Sequence, residues 1–467
     1  MNKLRWPAPL VALFFLGGCS LAPDYQRPEP VVAAQWPEGA AYIGDGAQAA
    51  ALADLKWQTF FSSPNLQQVI RLALDNNRDL RLAALNVERA QGLYGIQRGE
   101  LYPSINAEAG KVRQRRSGDL IEPGQPHTTK QYNADLGFAA WELDFFGRIR
   151  SLADQALETY LATDEGRRST QIALVSQVAR AYFALAADRE NLALSRSTLE
   201  SQQAAYNIVK RRLEVGTASA LDLKQARTPV DTARLDLARY TQYAAQDLNA
   251  LTLLAGAPIP EAWLPANLAA VGDVREVAAG ISSDVLLSRP DVIAAEHRLK
   301  GAYASIGAAR AALFPRISLT ATLGTASDQL SRLFDASTRT WLFAPQAAMP
   351  IFDTRLWAAL RVSKTDREIA LAQYEQTVQT AFREVADTLA VRGTIDEQLA
   401  AQESLTSTTA DTYRLAERRY KAGIDGFLNV LDAQRTHFAA QQSLVSMRMA
   451  KLTSQVQLYA ALGGGAD

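Results

Sequence analysis

Two stretches of this chain, Gly147 to about Glu214 and Thr354 to about Lys421, contain no proline and almost no glycine, only long runs rich in Ala, Leu, Gln, Arg and Glu. Strong helix formers without a breaker predict one unbroken helix in each. Some 65 residues at 1.5 Å each reach roughly 100 Å, whereas a globular helix averages about 11 residues. Helices of that length outrun any compact core, so they must pack against helices of neighbouring copies, and their many alanines allow close side-by-side approach. Short turns at Val215-Gly216-Thr217 and Ala422-Gly423-Ile424 send the chain back along second helices that end near Gly256 and Gly463. Two long helical hairpins result.

The hairpins belong to an internal duplication. At an offset of 212, Asp79, Gly95, Arg98, Leu101, Pro103 and Ile105 fall on Asp291, Gly307, Arg310, Leu313, Pro315 and Ile317; at 207, Phe145, Arg148, Tyr206, Arg211, Arg212, Gly216, Leu221, Ala226 and Gly256 fall on Phe352, Arg355, Tyr413, Arg418, Arg419, Gly423, Leu428, Ala433 and Gly463. A self-match at this distance marks duplicated halves rather than a solenoid. The expected division is a leader at 1–18, a tether at 19–63, a first repeat at 64–256, a Pro-rich linker at 257–282, a second repeat at 283–463 and a tail at 464–467.

Within each half a helical stretch comes first, about Pro64 to Leu101 and about Ser283 to Phe314, with Ser63 placed to cap the first. Each stops at a proline, Pro103 or Pro315. The period then changes from helical to two: Ile317, Leu319, Ala321 and Leu323 alternate with Ser318, Thr320, Thr322 and Gly324. Ile105, Ala107 and Ala109 alternate with Ser104, Asn106 and Glu108, while Tyr132, Leu136 and Phe138 lie opposite Gln131, Asn133 and Asp135. A fourth strand near Trp341 to Met349 alternates poorly. Four strands with one apolar and one polar face suit either a sandwich or a membrane barrel with lipid outside and water inside.

The first residues bear on that choice. Lys3 and Arg5 precede an apolar run from Leu10 to Leu16, and Leu16-Gly17-Gly18-Cys19 closes it with small residues, which reads as a secretory signal. Those last four residues match a bacterial lipobox, which makes Cys19, the only cysteine, the expected acylated first residue of the mature chain. Ser20 stands where an aspartate would suggest inner-membrane retention, so the resemblance to a lipobox favours the outer membrane. Beyond Cys19 no apolar run approaches the roughly 20 residues of a membrane helix. Any span of a bilayer must therefore use strands. Four cannot close a barrel alone and a bilayer tolerates no open sheet edge, so closure calls for several chains, and three copies would give 12 strands and 12 helical positions. Lys plus Arg equals Asp plus Glu at 49 each, leaving no net field to gather nucleic acid.

The order of these features resembles the TolC family of outer-membrane channels, in particular its OprM-like lipoprotein branch. Carrying the resemblance are the lipobox, Trp57 with Phe60-Phe61 before Pro64, the run Trp141-Glu142-Leu143-Asp144-Phe145-Phe146-Gly147-Arg148, Arg289-Pro290-Asp291, Leu313-Phe314-Pro315, and Leu431-Asp432-Ala433-Gln434-Arg435. It covers essentially the whole mature chain. It implies a mainly α fold with a membrane β component: a homotrimer with a 12-stranded β-barrel, a 12-helix periplasmic tunnel and a mixed equatorial belt. The implied partners are outer-membrane lipid, a periplasmic adaptor (membrane fusion) protein and an inner-membrane RND-type transporter that supplies the energy for drug or toxicant efflux.

Candidate functional residues cluster at the hairpin turns. Gly216 with Thr217 and Gly423 with Ile424 form the turns themselves, which need left-handed backbone at glycine and which in the family contact the adaptor. Leu428 and Asp432 are four apart, share a helix face just past the second turn, and resemble the family's tunnel constriction. Arg419 and Tyr420, one turn earlier, are candidate latch partners, while Asn429 and Asp425 depart from relatives that carry an aspartate and an arginine there. An isolated aspartate would otherwise read as a solvated helix position. His127, His297 and His437 have no companions at metal-ligand spacing, and no phosphate loop, nucleophile elbow or paired-carboxylate motif is present, so neither catalysis nor a cofactor is expected. Two other readings fit the pattern: a type I secretion duct for proteins or peptides, and a lipid-anchored structural coiled coil, which would lack amphipathic strands.

Overall fold

The computed structural model describes residues 20–29, 31–42, 56–275 and 283–464. Cys19 lies outside them. In chain order the elements are α1 (Trp57–Phe60), α2 (Pro64–Asn76), α3 (Arg78–Gly99), β1 (Asn106–Arg115), β2 (Thr128–Leu143), α4 (Arg148–Glu214), α5 (Ala220–Ala255), α6 (Pro290–Ala311), β3 (Arg316–Ser327), β4 (Arg339–Ala348), α7 (Thr354–Lys421) and α8 (Phe427–Ala461). The two breaker-free stretches are single helices of 67 and 68 residues. Their returns, α5 and α8, run 36 and 35 residues.

The leading helical stretches are present but interrupted. The stretch expected over about Pro64 to Leu101 is helical as α2 and α3 and breaks at Asn77, which is extended (φ −63°, ψ 132°). No proline or glycine causes this. The Asn77 side chain accepts from the Leu80 N–H at 3.0 Å, starting α3, and donates to the Leu254 carbonyl at 2.9 Å, so tertiary contact and a local cap together outweigh helix propensity. In the second half Ser283–Ser288 is a short 3₁₀ segment, and the α-helix begins only at Pro290, whose missing N–H suits a first turn.

One compact unit comprises the described parts of Met1–Pro28, Val87–Thr163 and Ala295–Tyr374 and carries the strands. They form one antiparallel sheet in the order β1-β2-β3-β4. Rows across it show its two faces: Ala107, Leu136, Leu323 and Trp341 are paired neighbours on one, and Glu108, Asp135, Gly324 and Thr340 on the other. A bulge between Phe138 and Trp141 restores this pattern, because residues three apart would otherwise face opposite ways. Ala140, the bulged residue, has φ +53° and donates its N–H to Thr320 Oγ1 at 3.0 Å. Past the bulge Trp141 joins Phe138 on the apolar face, their rings 5.8 Å apart. The poorly alternating fourth strand is real: Trp341, Phe343, Pro345 and Ala347 pair opposite Leu323, Ala321, Leu319 and Ile317. Among the described residues nothing covers that face, and Leu323, Trp341 and Phe343 are 70%, 76% and 60% exposed.

At the foot of the sheet the buried Glu142 carboxylate receives both Arg148 Nε (2.9 Å) and Nη2 (2.8 Å), while Arg316 Nε lies 2.5 Å away. This fixes the end of β2 to the starts of α4 and β3. Phe146 stacks on Phe314 at 4.9 Å beside it.

A second unit gathers the described parts of Glu29–Asn86, Asp164–Ala294 and Glu375–Asp467. Its aromatic core contains Trp57, Phe60, Phe61, Tyr182, Phe183 and Tyr459, all buried, with Phe60 stacked on Tyr459 at 4.4 Å. Each such ring contributes about 1.5–3 kcal/mol on burial. Tyr182 keeps its hydroxyl satisfied by donating to the Trp263 carbonyl at 2.8 Å. Here too Arg289, buried, joins the start of α6 to α7 and the end of α8, donating to Asp291, Glu384 and the Ala461 carbonyl.

Candidate functional site

Both long helices end in the same device. After α4, Gly216 adopts φ +77°, its N–H meets the Leu213 carbonyl at 3.0 Å, and the Thr217 N–H meets that of Arg212 at 2.7 Å. After α7, Gly423 adopts φ +73°, with Gly423 N–H on Tyr420 (2.9 Å) and Ile424 N–H on Arg419 (2.9 Å). These are paired Schellman motifs, 207 residues apart, and the left-handed step is what glycine permits at no steric cost. Val215 and Ile424, at the tips, are exposed apolar residues. The returns differ: Ser219 and Asp222 form a reciprocal capping box at α5, whereas α8 begins after Gly426 with no side-chain cap.

Asp425 is taken up instead by Arg419, whose Nε and Nη2 reach its two oxygens at 2.6 and 3.1 Å. This hydrogen bonding holds the Asp425 carboxyl below the usual carboxylate range. Both partners belong to the α7–α8 turn, so the pair braces one turn. Tyr420 behaves differently. Its hydroxyl accepts from Arg212 Nη1 at 2.6 Å, and the same guanidinium lies 5.3 Å from the Tyr420 ring centroid. Arg212 belongs to α4, so this contact spans from the first hairpin to the second. Of the two candidate latch residues, Tyr420 reaches across and Arg419 stays at home.

Leu428 and Asp432 do share a face. Both line a groove of about 300 Å³ between α4, α5 and α8, along with Gln202, Pro229, Asp236 and Phe438. Pro229 cannot supply an N–H to the Gln225 carbonyl, which loosens α5 where it borders the groove. Asp432 is paired in its own helix with Arg435 Nη2 at 2.7 Å and keeps a side chain 64% exposed; Leu428 is 60% exposed. Neither Arg419 nor Tyr420 pairs with Asp432. Arg212 was passed over as a functional residue in the sequence, although the repeat already aligned it with Arg419; nothing local marked its reach to Tyr420.

The histidines are dispersed: His297 Nδ1 is 2.6 Å from Glu158, and His437 neighbours Thr409 at 3.3 Å. Among the described residues no group of three His, Cys, Asp or Glu is placed to hold a metal. No helix among them is long and apolar enough to cross a membrane.

The chain as a whole has known relatives. The family model for outer membrane efflux protein matches residues 69–257 and again 281–464. The antibiotic efflux pump outer membrane protein ArpC and the toluene efflux pump outer membrane protein TtgC, both of Pseudomonas putida, are each 51% identical over 97% of this chain and 94% of their own length. The crystal structure of the open state of the Neisseria gonorrhoeae MtrE outer membrane channel superposes with a TM-score of 0.86 at 36% identity, covering 96% of this chain and 99% of that one. The fold is that of a TolC-like channel protomer, and the chain belongs to the outer membrane efflux protein family, acting as an outer-membrane efflux channel.

Proposed function

We propose that three copies of this chain form one passive duct that carries antibiotics and organic solvents out of the cell, delivered by an inner-membrane RND-type transporter through a periplasmic adaptor. The observation that carries this reading is the open four-stranded sheet, whose apolar face is uncovered and whose edge strands β1 and β4 have no further partner among the described residues. A bilayer excludes unpaired edges, so neighbouring copies complete the ladder into a 12-stranded barrel. The transported class follows from the relatives named for antibiotic and toluene efflux. The duct itself performs no catalysis, and the transporter supplies the energy.

In this reading the repeats at 64–256 and 283–463 each contribute two strands and one helical hairpin, joined by the linker at 257–282. The turns at Gly216-Thr217 and Gly423-Ile424, with exposed Val215 beside them, dock the adaptor. Leu428 and Asp432 form the narrowest ring of the tunnel, and the Arg212–Tyr420 contact holds the hairpins of each protomer around it. Cys19 carries lipid that assists targeting to the outer membrane.

Deletion of the gene, followed by growth tests on antibiotics, dyes and solvents and by an assay for secreted proteins, tests the transported class. Sensitivity should rise at least about tenfold for several compounds, with complementation by the intact gene. Unchanged sensitivity together with loss of a secreted protein would instead assign the chain to a type I secretion duct.

A further inference from the structure

The N-terminal segment that follows Cys19 does not simply trail away. Leu21 offers its carbonyl to Arg310 Nη1 at 3.0 Å, and Ala22 passes Gly307 so closely that a Cβ there would stand 2.8 Å from both the Ala22 nitrogen and its Cβ. Tyr25 stands edge-on to Tyr303, ring centroids 5.6 Å apart, and donates its hydroxyl to Glu296 Oε1 at 3.1 Å. Arg27 Nη2 donates to Glu296 Oε2 at 2.8 Å, and Lys300 Nζ lies 3.1 Å from Oε1. Glu296 is only 5% exposed, a buried carboxylate met by one charge from the N-terminal segment, Arg27, and one from its own helix, Lys300. Gly307, Glu296 and Arg310 are all on α6, and Arg310 comes six residues before Arg316, where β3 begins.

We propose that α6 is a built receptor for the chain's own segment Ser20–Arg27, with Glu296 and Gly307 as positioning residues that hold the anchored end beside the foot of β3 in the same protomer. The consequence for the anchor rests on the reading of Cys19 as lipidated; the seat on α6 does not. With the strap seated, the acyl chains enter the membrane next to the strands they accompany rather than at the end of a free tether. A glycine at 307 leaves room both for Ala22 of the strap and for Ser151 Oγ of α4, 2.7 Å from the same Cβ position. Glu296 has a partner in its own helix, Lys300, and its second oxygen is left for Arg27 of the strap, with Tyr25 donating to the first.

The test uses the full-length protein purified from outer membranes, with intact mass measured first. Chymotrypsin can cut after Tyr25, so release of the N-terminal peptide reports how often the strap leaves its seat. Release is expected to be at least about tenfold faster in Gly307→Leu, Glu296→Gln and Arg27→Ala than in the unaltered protein. The last of these changes only the strap and leaves α6 intact, which guards against a misfolded receptor. An acylated Cys19 with equal release from all four proteins would overturn the strap while leaving the lipid reading standing. A mature chain without acyl mass on Cys19 would overturn the placement of the anchor, whatever the release rates.

Discussion

Arg212→Ala is expected to raise the single-channel conductance of the purified protein in planar bilayers, and to raise the fraction of time spent open. The Arg212 guanidinium joins α4 to Tyr420 on α7 by a 2.6 Å hydrogen bond and by its placement against the ring. An exposed contact of this kind is worth about 1 kcal/mol. Three copies acting on one ring multiply that to about 3 kcal/mol, roughly a hundredfold in the balance between narrow and wide states. Tyr420→Phe should reproduce part of the effect, since it removes the hydroxyl and keeps the ring. Arg419→Ala should do much less, because its Asp425 partner sits in the same turn. At the proposed ring, Asp432→Ala should weaken cation preference and block by multivalent cations, and widen the passage. Three carboxylates around one axis repel and invite cations, and Arg435 offsets only part of that charge. Asp366, exposed on α7, serves as the control and should change none of these. If Arg212→Ala and Asp432→Ala both leave conductance and block unaltered, the narrowest point lies elsewhere.

Arg289→Ala is expected to be the most destabilising single substitution of a charged residue in the chain. Its guanidinium donates to the Ala461 carbonyl at 2.6 Å, to both Asp291 oxygens at 3.0 and 2.7 Å, and to Glu384 at 2.9 Å, while its side chain is 8% exposed. Losing a buried partner typically costs about 3–5 kcal/mol. Here the carboxylates are partly solvated, so about 2–3 kcal/mol is the expected cost. Arg289→Lys should recover little, since a single ammonium cannot span three acceptors held in a planar fork's geometry. Thermal unfolding in detergent reads this out: a midpoint for Arg289→Ala equal to that of the unaltered protein would show that α6, α7 and α8 are held together by other contacts.

Much of this was readable in the residues, and the reasons are physical. The ends of α4 and α7 were legible because strong helix formers run uninterrupted to a Gly that can take the left-handed step, so local propensity and tertiary structure agree. Strand β3 showed its faces by strict alternation. Strand β4 did not, since Leu342 and Pro345 interrupt the pattern; its apolar face becomes visible only once Trp341 and Phe343 are set opposite Leu323 and Ala321. The Phe138–Trp141 bulge carries no glycine or asparagine to announce it, and its left-handed residue is an alanine. The break at Asn77 depends on Leu254, 177 residues away, which no local rule contains. The turn glycines, Leu428 and Asp432 are candidates that spacing and resemblance alone could raise, whereas the contacts of Arg212 and Glu296 are with partners 208 and 271 residues distant.

The central claim is that the four strands of one chain are an incomplete wall that neighbouring copies finish. Light scattering on the detergent-solubilised protein, corrected for bound detergent, measures this directly. The account predicts a protein mass of three chains with no stable monomeric population carrying a folded sheet; a monodisperse monomer with intact β-structure would contradict it.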